Sequence, residues 1–169
     1  MGIYTRFGGM PELRHAVRVE GFSRLAAALT AVGQTSDAAA DVAALGLAYY
    51  RNGVDNHHLY RVMFMEQPLD AADAQIGWDT FETLVAGTAR AVDAGRFTRG
   101  RPRDIARQLW VLAHGVVSFE LARMLTTSEA FDTFGRSAYA LFLSFGDDPT
   151  QARNSLAAAL ERAQAAGAP

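Results

Sequence analysis

The sequence contains no cysteine and no lysine. Without cysteine there is no disulfide framework, no thiolate nucleophile and no cysteine-ligated zinc. Without lysine, Schiff-base chemistry and the lysine of a phosphate loop are excluded. A surplus of one charge is lacking too: sixteen basic residues, all arginine, face eighteen Asp and Glu, for a formal charge of -2. That is far from the positive surface of a self-sufficient nucleic-acid-binding domain. No apolar run approaches the ~18 residues of a spanning helix, and nothing after Met1 to Arg6 reads as a secretory signal. The expectation is a cytoplasmic protein with no membrane partner.

What is present is 169 residues, 50% hydrophobic and 20% charged, the balance of one globular domain with a sizeable core. Alanine, at 32 residues, favours helix. Apolar residues recur every three to four positions between Gly, Pro and capping residues, and no strand pattern stands out. The first helix opens at Gly9-Met10-Pro11 and ends near Gly33, with Leu13, Val17, Phe22, Leu25, Leu29 and Val32 on one stripe. Ser36 and Asp37 start a second, whose Val42, Leu45 and Tyr49 face one way until Asn52-Gly53 stops it. A short piece from His57 to Met65 follows, then a helix capped by Asp70 that carries Trp78, Phe81, Val85 and Val92 to Gly95. Further helices run from Pro102 to about Leu125, from after Ser128 to Gly146, and from the start signal Asp148-Pro149-Thr150-Gln151.

The two helices between Pro102 and Gly146 are apolar over most of their circumference. In the first, Ile105, Leu109, Trp110, Leu112, Val116, Val117, Phe119 and Leu121 point nearly all round; in the second, Phe131, Phe134, Tyr139, Leu141, Phe142 and Phe145 span a wide arc. Such helices need cover on most sides. Two arrangements supply it: a central place in the core, or a second subunit in a two-fold dimer.

Catalytic chemistry finds little footing, and no catalytic or metal-binding set is assigned. The histidines are His15, His57, His58 and His114, and no pair stands one helical turn apart as metal ligation on a helix requires. No nucleophile elbow, phosphate loop or dinucleotide fingerprint occurs, and no cofactor is implied. Asp70 and Asp73 read as a cap and a first-turn carboxylate. The run Arg96, Arg99, Arg101 and Arg103 reads as a solvated loop, because only Phe97 interleaves with it. Trp110 and His114 lie one turn apart in an apolar helix, with Gly115 next to them. His114 is there either a satisfied core histidine or the polar anchor of an apolar pocket, for which Tyr49, Met63, Trp78 and Phe81 are candidate walls. Such a pocket is expected to prefer flat or greasy molecules over charged metabolites.

The stretch Ile3-Tyr4-Thr5-Arg6-Phe7-Gly8-Gly9-Met10-Pro11-Glu12-Leu13 resembles the junction in TetR-type transcriptional regulators between recognition helix and connecting helix. Leu59-Tyr60-Arg61-Val62-Met63-Phe64 and Leu109 to Val117, with its Trp-x-x-x-His-Gly pattern, resemble the regulatory domain of the same family. The resemblance implies an all-α bundle that dimerises through the helices around 102–125 and 128–146. It also implies a small apolar effector that binds inside the bundle and alters the spacing of two DNA-binding heads. On this reading residues 1–8 are the remnant of a recognition helix and 9–169 the ligand-binding and dimerisation domain. Tyr4 corresponds to a phosphate-contacting tyrosine, with Thr5 and Arg6 beside it; Met10 departs from the usual basic residue. Most of a helix-turn-helix is absent before Tyr4, so operator DNA is expected as a partner only of a form carrying that head. A start codon assigned too far downstream, a truncated relative and an excised domain all account for this.

Two functions lead, and an enzyme is a remote third that any turnover lost on replacing His114 would revive. One is the effector-binding and dimerisation domain of a TetR-like repressor. The other is a headless interaction protein that dimerises with full-length regulators. Coding sequence for a helix-turn-helix upstream of Met1 separates them.

Overall fold

The computed structural model describes residues 9–68 and 70–166. Tyr4, Thr5 and Arg6, read above as a DNA-contact remnant, lie outside the described residues. Seven helices and no strand occur among those described: α1 (Met10–Ala31), α2 (Ala38–Asp55), α3 (His57–Phe64), α4 (Ala71–Asp93), α5 (Pro102–Leu121), α6 (Thr127–Ser144) and α7 (Pro149–Ala166). None is long and apolar enough to cross a membrane.

The starts follow local chemistry. Asp37 accepts from the amides of Ala39 and Ala40, Asp70 from that of Asp73, and Asp148 from those of Thr150 and Gln151. Each satisfies amides that the first helical turn leaves without partners. Two turns close on glycines in the left-handed region, Gly95 at φ 73° and Gly146 at φ 90°.

Three boundaries differ from the sequence expectation. Asn52-Gly53 does not stop α2, which continues to Asp55. Gly53 is there for packing: a Cβ would stand 2.8 Å from Val117 Cγ1 and 3.3 Å from the Tyr60 ring, so its absence lets α2 approach α5 and α3. α5 ends at Leu121 rather than Leu125, because Arg123 adopts φ 59° and the Met124 amide turns back to the Phe119 carbonyl. α6 begins at Thr127, not after Ser128; Thr126 and Glu129 form a reciprocal capping box.

The most enclosed helix is α2. From Ala38 to Leu45 every residue is buried, and the helix packs against α1, α4, α5 and, most extensively, α7. Its alanines let neighbours approach from several directions, so enclosure here does not require the broad ring of large apolar residues that marks α5. Two ionic clusters brace the bundle around α2. The Asp41 carboxylate accepts from the Thr35 amide and hydroxyl, from Arg90 of α4 and from Arg162 of α7. Arg96 grips Asp147 through two nitrogens, at 2.8 and 2.9 Å, and also reaches Asp37 and Ser155. The loop expectation for the arginine run therefore holds at exposed Arg99 and Arg101, whereas Arg103 lies within α5 and pairs with Glu82, and Arg96 turns inward. A charge can take that place because its donors meet carboxylates in a planar, two-pronged fit.

At the opposite end, α1 is tied to α4 through buried Asp73, 3.0 Å from His15 Nδ1 and 3.5 Å from Arg18 Nε. Asp73 is thus more than a first-turn carboxylate.

Candidate functional site

A cavity of about 250 Å³ lies against α2 and reaches all the helices except α3. Its deep wall is built from the face of α2 read as a core stripe, Val42, Leu45 and Tyr49, opposed by Leu25 and Leu29 of α1, Phe81 and Leu84 of α4, and Leu109, Trp110 and Ala113 of α5. Phe134, Ala138 and Phe142 of α6 and Leu156 and Leu160 of α7 complete the wall. No lining residue carries a charge. The polar side chains on the wall are Tyr49, Thr80 and Trp110, and the Thr80 hydroxyl is already donated to the Gly77 carbonyl. Desolvating an ion here would cost several kcal/mol with nothing to offset it, whereas apolar surface gains about 25 cal/mol per Å² removed from water.

The six residues singled out from the sequence fall into three groups. Tyr49, Phe81 and Trp110 line the cavity together. His114 and Trp78 stand behind that wall. His114 Nδ1 is 3.1 Å from the Tyr49 hydroxyl and 2.6 Å from that of Tyr60 on α3. Trp78 is 47% exposed and meets Phe81 and Trp110 edge-on at centroid distances of 5.7 and 5.9 Å. Met63 lies elsewhere, buried under α1, where a Cβ on Gly21 would clash with its sulfur. Missed from the sequence were the contributions of α1, α6 and α7; Leu25, Phe134, Leu156 and Leu160 are ordinary members of apolar stripes and carry no local mark of a cavity.

Burial governs the titration of the phenol–imidazole group. It holds the Tyr49 phenol far above its usual range and pushes Tyr60 up to about 12, so both remain neutral donors. It also lowers the His114 pKa below 6.5, favouring the neutral ring. No group of three or more His, Cys, Asp or Glu among the described residues could hold a metal ion.

The described residues form an all-helical bundle around a cavity without charged lining. The family model described as "Tetracyclin repressor-like, C-terminal domain" matches residues 42–142, and the chain belongs to that family. A solved structure described as that of a protein with unknown function from Rhodococcus sp. RHA1 shares the fold, with a TM-score of 0.73 and 22% identity over 82% of this chain and 74% of that one. No curated protein matches the sequence.

Proposed function

We propose that this chain is the effector-binding and dimerisation domain of a TetR-like transcriptional regulator, and that its effector is a small, largely apolar molecule held in the cavity between α2, α4 and α5. The observation that carries the reading is the cavity itself, about 250 Å³ with no charged residue in its wall. An apolar cavity of about 150 Å³ takes a benzene ring, so this one has room for a substituted ring or a medium alkyl chain. Tyr49, Phe81 and Trp110 touch the ligand; His114 orients the Tyr49 hydroxyl from behind, and Trp78 backs the aromatic wall. Met63 is left out of the site because it packs at the contact of α1 and α3.

Screening a hydrophobic library by thermal shift and tryptophan fluorescence tests this. A ligand present at a hundred times its Kd stabilises the fold by ~2.7 kcal/mol, and contact with Trp110 changes its emission. Hits should lose affinity when Ala113 is enlarged to Leu, which fills the cavity from α5. A library without a single hit, or hits indifferent to Ala113→Leu and Trp110→Phe, would sink the assignment.

Dimerisation is part of the proposal, and its support lies on α5. Val111 is 64% and Phe119 49% exposed on the outer side of that helix, and a Cβ on Gly115 between them would meet nothing. On α6 the large residues Phe134 and Phe142 are buried, Phe131 is 39% exposed, and Asp132, Thr133, Arg136 and Ser144 occupy exposed positions. The uncovered apolar strip along α5 is therefore the proposed centre of a two-fold interface.

A further inference from the structure

The exposed members of the cavity lining, Phe131, Gly135 and Ala157, all stand on α6 and α7, whereas around Tyr49 the lining is buried, as at Phe81, or half-buried, as at Thr80 and Trp110. The mouth is the seam between these two helices. There the cavity meets a shallow groove that shares Phe131, Gly135 and Leu156 with it and adds four polar groups, Asp132, Arg136, Tyr139 and Arg153, the carboxylate of Asp132 being taken up by Arg136.

The two arginines differ. Arg136 is engaged with Asp132 on its own helix, Nε to Oδ1 at 3.0 Å. The Arg153 guanidinium lies over the Tyr139 ring, 5.5 Å from the centroid, and donates to the Tyr139 hydroxyl at 3.0 Å. No carboxylate pairs with it among the described residues. One hydrogen bond uses one of five donors, and the ring beneath restrains the remainder. The groove thus holds a positioned cation with spare donors, at the entrance to a cavity that rejects charge.

We propose that the effector is an amphiphile with an anionic head group: its apolar part enters through the α6–α7 seam toward Tyr49 and Trp110, and its anion stays at the mouth on Arg153. This rests on the reading of the cavity as an effector site and adds the chemical class. The head is an oxyanion, carboxylate or phosphate, which a guanidinium binds through two parallel hydrogen bonds. Scaled from the ~150 Å³ cavity that takes a six-carbon benzene ring, 250 Å³ holds a tail of roughly eight to ten carbons.

Calorimetric titration of the chain with octanoate, octyl phosphate and 1-octanol tests both parts. The anions should bind about five- to tenfold more tightly than the alcohol, the range of one well-placed charged contact. Arg153→Gln should collapse that preference. Gly135→Leu should weaken all three probes, since a side chain there projects into open space at the mouth and replaces glycine with a better helix former, leaving the fold intact. The tighter of the two anions identifies the head group. If octanol binds as well as octanoate, or if the preference survives Arg153→Gln, the anionic head is wrong while the apolar cavity reading stands. Binding indifferent to Gly135→Leu overturns the α6–α7 entrance. Failure of all three probes to bind the unaltered chain overturns the proposal together with the effector reading beneath it.

Discussion

The Tyr60 hydroxyl stands 2.6 Å from His114 Nδ1, and the Tyr49 hydroxyl stands 3.1 Å from the same nitrogen. One imidazole therefore holds two phenols, on α3 and α2, from a position on α5. His114→Ala strips both phenols of this partner at once. A buried polar group left without a hydrogen bond costs about 1–3 kcal/mol, and the loss is partial here because the two hydroxyls remain 3.3 Å apart and can bond to each other. Urea unfolding should show a loss of about 2 kcal/mol as a lower midpoint with unchanged slope. Tyr60→Phe, which leaves Tyr49 its imidazole, should cost about half as much.

The same histidine gives stability a pH dependence. Because burial places its folded pKa below the unfolded value near 6.5, the unfolded chain binds the proton more readily. The contribution is therefore complete above pH 6.5 and declines as the pH falls through that value toward the folded pKa. Unfolding midpoints at pH 7.5 and 5.5 should differ in the unaltered protein, and the difference should shrink in His114→Gln. An equal slope in both proteins refutes the assignment.

Asp41 gives a second, more acidic dependence. Burial alone raises its pKa, but hydrogen bonds from the Thr35 amide, Arg90, Arg162 and the Thr35 hydroxyl outweigh burial and lower it from 3.8 to about 2. Stability from this carboxylate is present above pH 3.8 and is lost as the pH falls toward 2. Asp41→Asn should cost about 2–3 kcal/mol at pH 7, where two half-buried arginines lose their countercharge. Measured at successively lower pH, the gap between mutant and parent should close.

Sedimentation at micromolar concentration should give twice the chain mass, with a buried interface of about 1,200–2,000 Å² in total. Val111→Asp, on the exposed side of α5, should yield a monomer whose helical content by circular dichroism is unchanged. A dimer that tolerates both Val111→Asp and Phe119→Asp would move the interface off that face.

Helix identity and most helix starts were readable from the sequence because they rest on contacts within one turn. Asp37, Asp70 and Asp148 cap the amides two or three residues ahead whatever the rest of the chain does. The Thr126 and Glu129 box is equally local, and its four-residue spacing was legible although Ser128 drew the boundary instead. Gly53 was not legible in this way: the sequence shows a helix-stopping residue, and only Val117 and Tyr60 packed against it show a close approach within a continuing helix. The site divides along the same line. Aromatic supply and the Trp110–His114 pair were visible as composition and one-turn spacing. The partition of Tyr49, Phe81 and Trp110 into the cavity wall was decided by the packing of α2 against α1, α4, α5 and α7, that of Met63 by the packing of α3 against α1, and that of Arg153 at the mouth by the packing of α6 against α7. The physical reason is range: capping and periodicity are set by neighbours a few residues apart, whereas a cavity is the space left between helices distant in the chain, and no single stripe records how its neighbours fail to fill it.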